Sequence, residues 1–146
     1  MHPFPHRYTV TAQCVSAGSV MLRSPGVPDL PSDGPAEFDG PGNLWSPETM
    51  LCGAVADCFN LSFRAIARAS KFEWTSLDCE VVGTLDRVER TSLFTQFDIR
   101  AALQLPAGGD AARAQQLLEK AKQICLISNS LKGEFHLHST VEVASA

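Results

Sequence analysis

SPETMLCGAVADCFNLSFRAIARAS, residues 46–70, carries the strongest helical signal in the chain. Ser46 suits an N-cap, Pro47 the first helical position, and Glu48 the positive end of the helix dipole. From Thr49 to Phe63 the only charge is Asp57, while Leu51, Cys52, Ala54, Val55, Cys58, Phe59, Leu61, Phe63 and Ile66 cover most of the circumference. A helix apolar all round is buried all round. A chain of 146 residues struggles to surround such a helix, so a second subunit is expected to help cover it.

Two alternating runs follow the helix. Leu77, Cys79, Val81 and Leu85 share one face against Asp78, Glu80, Thr84 and Asp86; Leu93, Phe97, Ile99, Ala101, Leu103 and Leu105 share another. The polar link Arg87–Ser92 is short, which predicts an antiparallel hairpin. Pro106–Asp110 reads as a turn ending in an N-cap. A second helix carries Ala114, Leu117, Leu118, Ala121, Ile124 and Cys125 at helical spacing, and Gly133 ends it or its continuation. Phe135, Leu137, Val141 and Val143 make a last strand.

Upstream, Arg7–Ser16 alternates as a half-buried strand, Ala17-Gly18-Ser19 turns, and Val20–Arg23 is a second strand. Ser24–Pro47 holds six of the nine prolines and four of the ten glycines, a long loop with room for a short strand near Glu37–Asp39. The order β-β-(β)-α-β-β-α-β predicts an α+β domain over 1–146, with a meander sheet and two main helices.

Composition narrows the function classes. The chain is 45% hydrophobic and 19% charged with a net charge of −4, neither a disordered sequence nor a basic surface for nucleic acid or acidic membrane. No apolar run approaches the ~18–20 residues of a membrane span. The first residues, Met1–Arg7, contain no apolar stretch of a secretory signal, so a soluble, cytoplasmic protein is expected.

The five cysteines are Cys14, Cys52, Cys58, Cys79 and Cys125, an odd number with no CxxC spacing. A disulfide framework and a zinc site are therefore not expected. Cys14 and Cys79 lie on apolar strand faces and read as core. Cys52 lies about 120° around the helix from Cys58, a core or interface position. His136 and His138 share one strand face as solvated histidines. Cys58 and Cys125 both sit on apolar helix stripes. If the two stripes face one core, the thiols meet although 67 positions separate them. A thiolate with a second thiol nearby suits thiol peroxidase chemistry: sulfenic acid first, disulfide second. Two packed core cysteines are the alternative.

The segment Ser46-Pro47-Glu48, Cys58-Phe59 ten residues after Glu48, and Cys125-x-x-Ser128-Asn129 resemble the OsmC/Ohr family of organic hydroperoxide reductases. The resemblance spans essentially the whole chain. It implies the OsmC-like α+β fold as an intertwined homodimer with two sites at the subunit interface. Cys58 would be the peroxidatic nucleophile, Cys125 the resolving thiol, and Glu48 the carboxylate that orients an activating arginine. Substrates would be organic hydroperoxides. The reductant would be a small or lipoyl-type dithiol, with no metal, haem or flavin.

The family arginine is not matched. The first hairpin turn is Ser16–Ser19, and the residue before Phe38-Asp39-Gly40 is Glu37. Arg23 is the nearest substitute for the cation that would lower the thiol pKa. Phe59, Phe63 and Trp45 are candidates for the walls of an apolar substrate pocket. Ser128 and Asn129 either hydrogen-bond around Cys125 or cap its helix. Glu48 and Cys58 lie ~15 Å apart along a straight helix and about 80° around it. Either the helix breaks, at Gly53, or a site built from both chains joins them; the latter is favoured. The alternative function is a divergent dimer without peroxidase activity that binds a small hydrophobic ligand or acts on another electrophile.

Overall fold

The computed structural model describes residues 1–146 and divides into two units, Met1–Met50 and Leu51–Ala146. The first unit is a three-stranded antiparallel meander of β1 (Thr11–Gln13), β2 (Val20–Arg23) and β3 (Leu30–Ser32). β1 is shorter than its alternating pattern because β2 offers only Met21–Arg23 as partners, and a strand lasts only where its backbone groups are paired. Gly18, at φ +92°, makes the turn.

The long loop is held by local bonds. The Asp33 N–H donates to the Trp45 carbonyl (2.9 Å), beside a parallel bridge between Ser32 and Trp45. The strand expected near Glu37–Asp39 is instead a 3-10 turn over Ala36–Phe38, ended by Asp39 at φ 59°. Aspartate tolerates this left-handed conformation better than most residues.

Gly40 follows, and a Cβ there would sit 1.9 Å from the Gly34 carbonyl oxygen. Backbone on backbone cannot yield as a side chain does. Gly40→Ala is expected to lose about 1–3 kcal/mol of stability or more, read as a lower urea midpoint. A midpoint equal to the parent's would refute the close approach.

Helix α1 (Pro47–Ala69) begins as expected. The Thr49 N–H donates to Ser46 Oγ (3.1 Å), and the Ser46 N–H donates to Thr49 Oγ1 (2.9 Å), a reciprocal cap. The helix does not break at Gly53. By length and composition alone it could cross a bilayer, a property that the sequence expectation discounted.

In the second unit, β4 (Ser76–Val88) and β5 (Thr91–Leu105) form the expected hairpin, with a register shift between Thr84 and Leu85. β6 (Glu134–Val143) pairs with β5 in parallel, Phe97 opposite Phe135 and Leu103 opposite Val141. This sheet is therefore not the meander expected from the element order. The chain leaves β5, crosses through α2 (Ala111–Ile124), and must re-enter running the same way.

α2 has Asp110 as its N-cap, accepting from the Arg113 N–H (3.0 Å). It ends at Ile124, well before Gly133, because Cys125 turns to ψ 104°. One further turn, α3 (Leu126–Asn129), follows. Gly133, at φ +100°, bends the chain into β6.

The core of this unit joins three layers of side chains. Val55, Phe59, Phe63, Ile66 and Ala67 from α1 pack with Phe97, Ile99, Leu103 and Leu105 from β5 and with Ala114, Leu117, Leu118 and Ala121 from α2. Phe94, Phe97 and Phe135 stack at 5.2 and 4.8 Å between centroids. Only that one face of α1 is buried. Leu51, Cys52, Ala54 and Cys58 are half-buried and Leu61 is exposed, so the all-round burial expected of this helix is not achieved within the chain.

Candidate functional site

Cys58 lies on α1 next to the fully buried Phe59, and its own side chain is half-buried. Cys125 occupies the corner between α2 and α3 and is fully buried. Cys58 lies close enough to Cys125 to act on its ionisation, although one thiol is carried by the first helix of the unit and the other by the end of the second. All five cysteines are free thiols, and Cys14, expected in the core, is exposed because the strand before it has no buried face.

The corner is tied down locally. The Asn129 N–H donates to the Cys125 carbonyl (3.0 Å), and the Asn129 carboxamide donates to the Gln123 carbonyl (3.0 Å). The Ser130 hydroxyl donates to the Leu126 carbonyl (2.7 Å). These bonds satisfy carbonyls freed where α2 stops. They hold Cys125 inward while Ile124 and Leu126, on either side, are exposed.

Burial pushes the Cys125 thiol above its ordinary pKa, because desolvation penalises the thiolate. The Ser128 hydroxyl opposes that shift, donating to Cys125 Sγ at 3.2 Å, and the Ser128 backbone opposes it as well. The neighbouring Cys58 adds to the rise. No cation is among the groups acting on Cys125.

A third thiol lies within electrostatic reach of Cys125. Cys79, on the inward face of β4, is pushed up to about 11 by burial and by its proximity to Cys125. Sequence reading placed Cys79 in the core but had no signal for this neighbour, since the interaction joins β4 to the α2–α3 corner. Cys52 lies against Gly83, where a Cβ would stand 2.7 Å from its sulfur, and burial raises its pKa too.

Glu48 is half-buried, and its Oε2 is shielded from solvent with no hydrogen-bond partner. Arg23 donates from Nε to Asp29 (3.0 Å) and from Nη1 to Gln13 (3.1 Å), so both residues of its own unit engage it. Trp45 is half exposed and borders a cavity of about 500 Å3 with Leu30, Pro31, Leu44 and Thr49. Phe59 and Phe63 are fully buried, Phe63 meeting Trp74 edge-on at 5.3 Å. His136 and His138 are paired with Glu134 (3.1 Å) and Asp98 (2.9 Å) on an outer sheet face.

Residues 40–139 match the family model described as OsmC-like protein. The chain is 30% identical over 112 residues to YmaD, an uncharacterised protein of Bacillus subtilis, with 75% of each chain covered. It is 29% identical over 92 residues to the peroxiredoxin OsmC of Escherichia coli, spanning 63% of this chain and 64% of that one. A solved structure from Legionella pneumophila, an organic hydroperoxide resistance protein OsmC, overlays with a TM-score of 0.75 at 21% identity. That overlay covers 96% of this chain and 99% of the other.

Proposed function

The chain belongs to the OsmC-like protein family, and from that premise we propose that it is a thiol-dependent peroxidase acting on organic hydroperoxides. Its α+β fold is that of OsmC-like structures. The observation that best supports the reading is that Cys58 lies near enough to Cys125, inside one folded unit, to raise the Cys125 thiol pKa.

In the proposed cycle the Cys58 thiolate attacks the outer peroxide oxygen. The O–O bond breaks, the alkoxide leaves and takes up a proton as the alcohol, and Cys58 becomes a sulfenic acid. The Cys125 thiolate then attacks the Cys58 sulfur. An S–S bond forms, the S–O bond breaks, and hydroxide leaves as water once protonated. A dithiol of small or lipoyl type returns both cysteines to thiols by exchange. Neither metal nor organic cofactor enters the cycle.

The proposal extends to a homodimer in the cytoplasm. An apolar side of α1 is left open, and Tyr8, Val10 and Val15 of the first unit are exposed; a second copy of the chain would cover such surfaces. Glu48, with an unpartnered oxygen, would then orient a cation for the site, Arg23 being the candidate. Trp45, Phe59 and Phe63 would form the apolar surroundings of the substrate.

The missing cation favours a second reading, a divergent dimer that has kept both thiols but binds a hydrophobic ligand or takes another electrophile. Dithiol-dependent consumption of cumene hydroperoxide, with hydrogen peroxide in parallel, separates the two. The peroxidase reading expects the organic peroxide to be consumed faster. No consumption of either by the reduced protein refutes it in favour of the second.

A further inference from the structure

Two thiols lie within electrostatic reach of Cys125 at the α2–α3 corner: Cys58 from α1 and Cys79 from β4. These are the titratable groups that face Cys125. Cys79 and Cys125 are sulfur nucleophiles of similar intrinsic chemistry, yet the cycle above needs one of the two to attack the oxidised Cys58. Among side-chain hydrogen-bond donors, one distinguishes Cys125 from Cys79. The Ser128 hydroxyl donates to Cys125 Sγ at 3.2 Å, whereas no side-chain donor reaches Cys79.

Ser128 is itself buried, 6% exposed, and Cys125 is fully buried. A hydrogen bond to an ionised acceptor in such surroundings is stronger than one in water, because solvent neither competes nor screens. The bond is also well fixed. Ser128 sits one turn beyond Cys125 in α3, and that turn is pinned through Asn129 to Gln123 and through Ser130 to Leu126. The backbone that carries the hydroxyl is therefore fixed beside the sulfur.

We propose that Ser128 is the positioning residue of the resolving step: its hydroxyl holds the Cys125 sulfur toward Cys58 and selects Cys125, not Cys79, as the thiolate that forms the disulfide. The inference rests on the peroxidase reading for its place in the cycle, though not for its chemistry. The hydroxyl keeps its proton throughout. It stabilises negative charge on Cys125 before attack, and the bond weakens as that electron pair passes into the new S–S bond and hydroxide departs from Cys58.

Stabilising a thiolate raises its amount but lowers its nucleophilicity. With a Brønsted coefficient of about 0.4–0.5, each tenfold gain in thiolate leaves a net rate gain of about three- to fourfold below the thiol pKa. Burial works against Cys125, so the Ser128 bond acts where thiolate is scarce and its effect on rate is greatest. At pH values high enough to ionise Cys125 fully, its effect should fade or reverse.

The test is single-turnover oxidation of the reduced protein with one equivalent of cumene hydroperoxide between pH 5 and 9. Sulfenic acid at Cys58 is trapped with dimedone, and disulfide-linked peptides are quantified by mass spectrometry. In Ser128→Ala, sulfenic acid should form at the parent rate. Formation of the Cys58–Cys125 link should slow about threefold or more at pH 6, its profile should move to higher pH, and Ser128→Thr should restore both. A slower rate with an unmoved profile would mean that Ser128 merely supports the fold, and would overturn the proposal; so would parent behaviour in Ser128→Ala.

Diamide, a thiol oxidant needing no peroxide, is run in parallel. If diamide alone forms the link, with the same Ser128-dependent shift, the peroxidase reading fails and the role of Ser128 stands. If both oxidants form the link with no dependence on Ser128, the reverse holds.

Discussion

Cys58→Ser is expected to abolish organic hydroperoxide turnover, a loss of roughly a thousandfold or more, since the nucleophile acts as a unit with the rest of the site. A serine hydroxyl at neutral pH supplies no comparable anion, and it cannot form a disulfide. Cys125→Ser should behave differently. Its Cys58 should still take one oxidising equivalent, accumulate as sulfenic acid, and turn over again only when a second thiol is added from outside. The two variants thus separate attack from resolution. Stopped-flow peroxide consumption with dimedone trapping reads both. Parent-like turnover in Cys58→Ser would refute the mechanism outright, whatever the fate of Cys125.

The second large effect is on stability. Phe63 is fully buried among the side chains of β5 and α2, edge-on to Trp74 at 5.3 Å. Phe63→Ala should cost about 3–5 kcal/mol, the transfer free energy of the ring plus the cavity left behind. The lost aromatic pair accounts for part of that figure. A residue that only walled an open pocket would show its loss in KM with the urea midpoint unchanged. The burial of Phe63 predicts the opposite weighting, a lower midpoint first, with any change in substrate preference following from it. A loss below about 1 kcal/mol would place the ring outside the core and contradict the packing.

Some of the candidate site was legible in the residues because its signals are local. Ser46-Pro47-Glu48 marked the start of α1, which Thr49 and Ser46 close with paired bonds. Asp110 marked the start of α2. Cys58 and Cys125 stood on apolar helix stripes, and apolar stripes converge in a core. Ser128 was visible three positions beyond Cys125, yet whether its hydroxyl capped the backbone or met the sulfur depended on a rotamer. That rotamer is set by burial at the α2–α3 corner.

What the chain determined by itself was therefore the kind and order of its elements: a capped, nearly uncharged helix, a long hairpin, a second capped helix and a last strand. Each rests on interactions among residues within a few positions of one another, so periodicity and capping residues suffice to specify it. Only the tertiary structure decided the rest. β6 lies parallel to β5, because strand direction follows from where the crossover helix returns the chain. α2 stops at Cys125 because its sulfur is drawn into the core while the flanking Ile124 and Leu126 are exposed. Cys79 comes within electrostatic reach of Cys125 because the register of β4 on β5 carries it inward opposite Ala101. These outcomes depend on contacts between segments tens of residues apart, and no spacing within one segment encodes them.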